Sequence, residues 1–115
     1  RMAGNDPIGG TVNLRSRFAD DPDMGQIVQL FVQEMPQRVQ QLSSAWDRHD
    51  LASLRRLTHQ LKGSGGGYGF PSISESAGKV EELVSSVISG EQSPDAAHIQ
   101  RQLRELIDLC RSVIV

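Results

Sequence analysis

Residues 24–46, MGQIVQLFVQEMPQRVQQLSSAW, decide the fold. Within them Ile27, Phe31, Met35, Val39, Leu42 and Trp46 recur at steps of four and three, and Val28, Leu30 and Ala45 widen the stripe. Positions three and four apart stack on one side of an α-helix, so this spacing predicts a helix that buries one face. Pro36 falls inside the pattern. It has no amide hydrogen and its ring crowds the carbonyl four residues back, so a kink or a split is expected there. The apolar phase continues across it, which favours one bent helix of about six turns.

Towards the C-terminus, Asp50 reads as an N-cap. It precedes a second helix carrying Leu51, Leu54, Leu57 and Leu61, which runs into GSGGGYG at 63–69. A third helix is expected to start near Pro71–Ser72, where Ser72 and Glu75 have capping-box spacing. Its stripe is Ile73, Ala77, Val80, Val84 and Val87. After the loop SGEQ at 89–92, Ser93 reads as an N-cap followed by Pro94 at the first helical position. The last helix places Ile99, Leu103, Leu106, Cys110 and Val113 on one face.

Towards the N-terminus, Thr11 to Asp23 is ambiguous. Val12, Leu14 and Phe18 suit either a short helix or an extended strap, and ADDPD at 19–23 breaks or caps it. Residues 1–10, RMAGNDPIGG, read as a mobile leader. The expected fold is therefore all-α: an antiparallel four-helix bundle over residues 11–115, with a short N-terminal helix or strap.

Composition narrows the function classes. A chain of 115 residues has room for one core. Aromatic residues make up only 4%, and alternating β-branched stretches are scarcer still, which argues against an all-β protein. Twelve Lys and Arg against fourteen Asp and Glu leave a net charge of −2, a poor balance for binding nucleic acid. No apolar run approaches the roughly 20 residues that cross a bilayer. The single cysteine excludes an intramolecular disulfide and a cysteine-based zinc cage. His49, His59 and His98 share no helical face, so no metal site is expected. A charged segment followed by an apolar run, the mark of a secretory leader, is missing, and the expected compartment is the cytosol.

The second helix carries the chemistry. At 100° per residue, Leu54, Leu57 and Leu61 lie roughly 140–160° from His59, so the imidazole points away from the core. Within about 60° of it fall Ala52, Arg55, Arg56, Lys62, Gly63 and Gly66. The solvent face thus presents one imidazole, three cations and residues too small to block an approaching surface. Imidazole is a competent nucleophile near neutral pH, where much of it is uncharged. A phosphoryl group in transit loads charge onto its equatorial oxygens, and Lys62, one turn along, is placed to stabilise it. Gly63 and Gly66 each cost about 1 kcal/mol in a helix relative to Ala, which clearance for a partner's backbone would explain. The same residues also suit an ordinary solvated face, with the glycines as a helix C-cap.

His59-Gln60-Leu61-Lys62-Gly63-Ser64, followed by Gly66 and by Gly69-Phe70, resembles the signature of the histidine-containing phosphotransfer (HPt) domain of two-component phosphorelays. The similarity extends through the helix pattern from about Asp23 to the C-terminus. It implies that His59 accepts phosphate on Nε2 from a receiver-domain aspartate and passes it on. It also implies that Lys62 helps neutralise the phosphoryl oxygens and that Gly63 leaves space for the imidazole and its cargo. Arg55, Arg56, Gly63 and Gly66 then form a receiver-docking face.

The family, with the related domain of chemotaxis kinases, often has Gln or Glu on the next helix bonding the other imidazole nitrogen, and the matching position is Glu81. A carboxylate accepting Nδ1–H fixes the tautomer and leaves Nε2 free. The other reading of Glu81 is a boundary residue paired with an arginine. Implied partners are receiver domains and a histidine kinase, with Mg²⁺ on the receiver, no cofactor of the chain's own, and a monomeric carrier with no ATP site. Two other readings stay open: a non-phosphorylated helical interaction module, and a phosphoacceptor charged directly by a kinase. The run Gly65-Gly66-Gly67 is richer in glycine than most of the family and predicts early fraying of the second helix.

Other signals fail. Lys62 precedes the glycines, so they are not a P-loop. No strand precedes them, so they are not a dinucleotide fingerprint. Cys110 sits on an apolar stripe as a small core residue. Tyr68 and Phe70 are expected to cover the end of the core.

Overall fold

Pro36 does not split the first helix. In the computed structural model, which describes residues 13–93 and 95–114, α1 runs unbroken over Gly25–Asp47 with Pro36 inside it on the exposed side. Interior proline costs a helix about 3 kcal/mol. That cost is offset because buried side chains continue on both sides of it, Val28, Phe31 and Met35 before and Val39, Leu42 and Ala45 after. The buried seam keeps Phe31, Met35, Val39 and Leu42 of the expected stripe, and at its ends Val28 and Ala45 take the buried places instead of Ile27 and Trp46. Ile27 is 41% and Leu30 59% exposed, and Trp46 is only partly buried, because α1 packs against two neighbours and its core line follows the groove between them.

The other helices are α2 (Leu51–Gly67), α3 (Pro71–Ile88) and α4 (Ala96–Arg111). Each contacts the next in chain order, and α4 closes on α1, completing the bundle. Asp50 caps α2 as expected: its Oδ1 accepts from the Ser53 amide at 3.0 Å and its Oδ2 from the Ser53 hydroxyl at 2.6 Å. These bonds, the hydroxyl's first, hold the Asp50 carboxyl below its usual range.

Two helix starts differ from expectation. Ser72 and Glu75 form no capping box; Phe70 is the N-cap without a side-chain bond, and Pro71 takes the first helical position. Proline's fixed φ suits that position, so the helix begins two residues too early for Ser72 to cap it. At α4 the cap is Asp95, whose Oδ1 accepts from the His98 amide at 3.1 Å, and not Ser93. A carboxylate at a helix N-terminus also gains from the backbone dipole, an advantage a serine lacks. Pro94 lies outside the described residues. The fraying expected of the glycine run is also overturned, since α2 continues to Gly67. There Gly65 packs on Ile73, and the amides of Tyr68, Gly69 and Phe70 close onto the carbonyls of Ser64, Gly66 and Gly65.

The N-terminal ambiguity resolves as a strap. β1 (Leu14–Arg15) pairs in parallel with β2 (Val113–Ile114), Leu14 opposite Val113 and Arg15 opposite Ile114. The Leu14 amide donates to the Ser112 carbonyl at 2.7 Å and the Arg17 amide to the Gly69 carbonyl at 2.9 Å, so these two donors are satisfied without a helix. The Ser16 hydroxyl donates to the Tyr68 carbonyl and accepts from the Phe18 amide. Val12 and the leader 1–10 lie outside the described residues. Beneath the strap, Phe31 meets Tyr68 at 5.2 Å and Phe70 at 5.5 Å between ring centroids, so the two aromatics do cover the core's end.

Gly69 joins strap to bundle. Its φ of +89° lies in the left-handed region, and a Cβ there would meet the Ser16 hydroxyl and, at 2.9 Å, the Phe18 ring. Gly69→Ala should therefore destabilise the fold by about 2 kcal/mol, read as a lowered urea midpoint. Cys110 is fully buried, and burial pushes its thiol up to about 12 despite the Arg38 charge. Because the folded value is raised above the ordinary 9.0, stability is complete below about pH 9 and declines as the pH rises towards 12. The thiol should resist a disulfide reagent at pH 8 in the native protein and react readily in urea.

Candidate functional site

The α2–α3 contact, the most extensive between any two helices, builds the site. At one end Gly65 lets the backbones close, since a Cβ there would stand 3.0 Å from Ile73 Cγ2 and 3.2 Å from the Ser74 amide nitrogen. One turn back along α2, the Lys62 carbonyl accepts from the Ser74 hydroxyl at 2.7 Å, and the Lys62 stem lies over Gly78. A further turn back, His59 Nδ1 meets Glu81 Oε2 at 2.8 Å. As positions fall along α2 from 65 to 59, their partners rise along α3 from 73 to 81. That is an antiparallel register, with the two helices in contact at three successive turns of α2.

The imidazole stands in water, its side chain 73% exposed, while the Glu81 side chain is only 20% exposed. A carboxylate can only accept, so the hydrogen bond places the ring proton on Nδ1. In the neutral ring Nε2 then keeps its lone pair. Glu81 pairs with His59, and among the described residues no arginine forms an ion pair with it. Arg55, Arg56, Lys62, Gly63 and Gly66 are all exposed around the ring. His59, Arg55, Arg56, Glu81 and Ser85 line an open concavity of about 670 Å³. Gly63 faces free space, with nothing within 4 Å of a Cβ position. Gly66 is different: a Cβ there would meet Ser74 Oγ at 3.3 Å, so its smallness also serves the helix contact.

Sequence reasoning missed Gly65, Ser74 and Gly78. Gly78 carried a signal, a glycine in mid-helix that costs about 1 kcal/mol relative to alanine. His49 lies in the turn after α1 and His98 in the first turn of α4, on different elements from His59 in α2. Among the described residues no group of three or more His, Cys, Asp or Glu is arranged to hold a metal ion. No helix among them is long and apolar enough to cross a membrane.

A family model described as the Hpt domain matches residues 26–112. The chain belongs to the Hpt domain family. Comparisons with curated proteins and with solved structures find no match. Hpt domains are helical phosphotransfer modules of two-component signalling whose partners are receiver domains and kinases. In this Hpt domain the matched span runs from the second residue of α1 through the end of α4, and takes in the whole α2–α3 contact.

Nitrogen NMR of the neutral His59 ring should show the proton on Nδ1. In Glu81→Ala that preference should be lost, with less than about 1 kcal/mol change in stability, because a pair whose imidazole stands in water contributes little. A wild-type ring protonated on Nε2 instead would contradict the bond.

Proposed function

We propose that His59 is the phosphoacceptor of this Hpt domain, charged by the aspartyl phosphate of one receiver and discharged onto the aspartate of another. The observation that carries the reading is an exposed imidazole whose Nδ1 is held by a carboxylate. In the charging step the Nε2 lone pair forms a bond to phosphorus while the bond from phosphorus to the receiver's carboxyl oxygen breaks. The electron pair leaves with that carboxylate. The ring retains its Nδ1 proton and gains positive charge, which the Glu81 carboxylate offsets. Discharge is the same exchange reversed.

Glu81 acts as a positioning residue, holding the ring's rotation and tautomer. Lys62 supplies an ammonium group to the phosphoryl oxygens, and Arg55 and Arg56 border the same concavity with further positive charge. Gly63 and Gly66 keep that face low enough for a receiver to approach. The receiver contributes the acyl phosphate together with its own Mg²⁺, which supplies Lewis-acid stabilisation of the phosphoryl oxygens. On this reading the domain works as a cytoplasmic monomer with no cofactor and no ATP site of its own.

The test is incubation with receiver domains charged by acetyl phosphate, followed by mapping of acid-labile phosphate. Wild type should be labelled on His59, and His59→Gln should take up none while melting like wild type. Lys62→Ala should slow transfer about tenfold, equivalent to about 1.4 kcal/mol of transition-state stabilisation. Label on a different residue would refute the assignment. Label from a kinase and ATP but from no receiver would make the domain a direct kinase substrate. Receiver binding without any transfer would make it an interaction module.

A further inference from the structure

The α2–α3 face is built two by two. On α2, His59 and Lys62 stand one turn apart; on α3, Gly78 and Glu81 stand one turn apart opposite them. Glu81 holds His59 through Nδ1. The counterpart of that bond at Lys62 is a contact of shape. A Cβ on Gly78 would lie 3.5 Å from Lys62 Cδ and 3.6 Å from Cε, so the lysine stem rests across the bare backbone of α3.

We propose that Gly78 is a positioning residue: its missing side chain is the seat that directs the Lys62 ammonium towards the phosphoryl group on His59. The inference rests on the phosphocarrier reading above. Three observations support it. Glycine is a poor helix former, yet Gly78 lies well inside α3, seven residues past its start at Pro71, so something other than helix stability accounts for it. Among the described residues no ion pair within 4.0 Å includes Lys62, although Glu75 and Glu82 border the same trough, so packing of the stem and not a salt bridge sets its direction. That trough and the concavity at His59 share Glu81 and Ser85 as lining, so a lysine seated in the one reaches the rim of the other. A side chain longer than alanine at position 78 fills the seat and lifts the stem away.

The experiment measures phosphate transfer from receiver domains charged with acetyl phosphate to wild type, Gly78→Ala, Gly78→Leu, Gly78→Gln, Lys62→Ala and the Lys62→Ala/Gly78→Leu double variant. Alanine and leucine are better helix formers than glycine, so melting temperatures should hold or rise. Gly78→Ala, whose methyl makes ordinary contact, should transfer within twofold of wild type. Gly78→Leu should fall about tenfold in maximal rate, matching Lys62→Ala, with the half-saturating receiver concentration unchanged. Gly78→Gln should fall equally and decides the matter if leucine disturbs the bundle. The double variant should be no slower than Lys62→Ala alone. Wild-type rates in folded Gly78→Leu and Gly78→Gln, or a double variant about a hundredfold down, would overturn the inference alone. A wild-type chain that takes up no phosphate would overturn the phosphocarrier reading and this inference with it.

Discussion

The hydrogen bond from His59 to Glu81 depends on two helices being held at one register, and that constraint governs the rest of the structure. A 2.8 Å contact between side chains on different helices tolerates almost no sliding. The register is set elsewhere, by Gly65 closing on Ile73 and by the Ser74 hydroxyl on the Lys62 carbonyl. A slip of one turn would carry Glu81 about 5 Å past the imidazole and leave Nδ1 to water. The glycines and serines between the helices therefore act on the chemistry without touching it. A bulky side chain at Gly65 would separate the helices and release the ring.

The end of the bundle protects that register. The link from α2 to α3 is only three residues, Tyr68 to Phe70, and every turn of the α2–α3 contact is anchored to it. Around this link the strap fastens Ser16 and Arg17, while Tyr68 and Phe70 pack on Phe31. Parallel pairing of Leu14 with Val113 ties the N-terminal strap to the end of α4. The three segments that could fray, strap, link and C-terminus, thus satisfy one another's backbone groups. His59 lies mid-helix, away from all of them.

Much of this was legible in the residue pattern, and the reasons differ. Helix existence followed from apolar spacing, because burying one face imposes a 3.6-residue period regardless of the neighbours. His59 and Lys62 followed from the same wheel, since a residue opposite a leucine stripe must face water. Helix starts were less legible. Ser72 and Ser93 both have capping chemistry, but Pro71 and Asp95 compete for the same turns, and the favoured cap depends on which amides the fold leaves open. Ile27 and Leu30 were placed in the core because a stripe drawn for an isolated helix has no defined centre line.

The order of residues alone dictated four amphipathic helices, a solvent-facing imidazole beside a lysine, and short links that force neighbouring helices to run in opposite directions. Those are local properties, set by periodicity and loop length. Folding in three dimensions settled what lies opposite what. It chose Glu81 over an arginine-paired surface glutamate, gave Lys62 its resting place on Gly78, and turned residues 14–18 into a strap instead of a helix. Such contacts join positions 16 to 52 residues apart or more, and no local preference specifies them. They arise when close packing leaves a single depth and register at which the core side chains interlock and most buried donors meet acceptors.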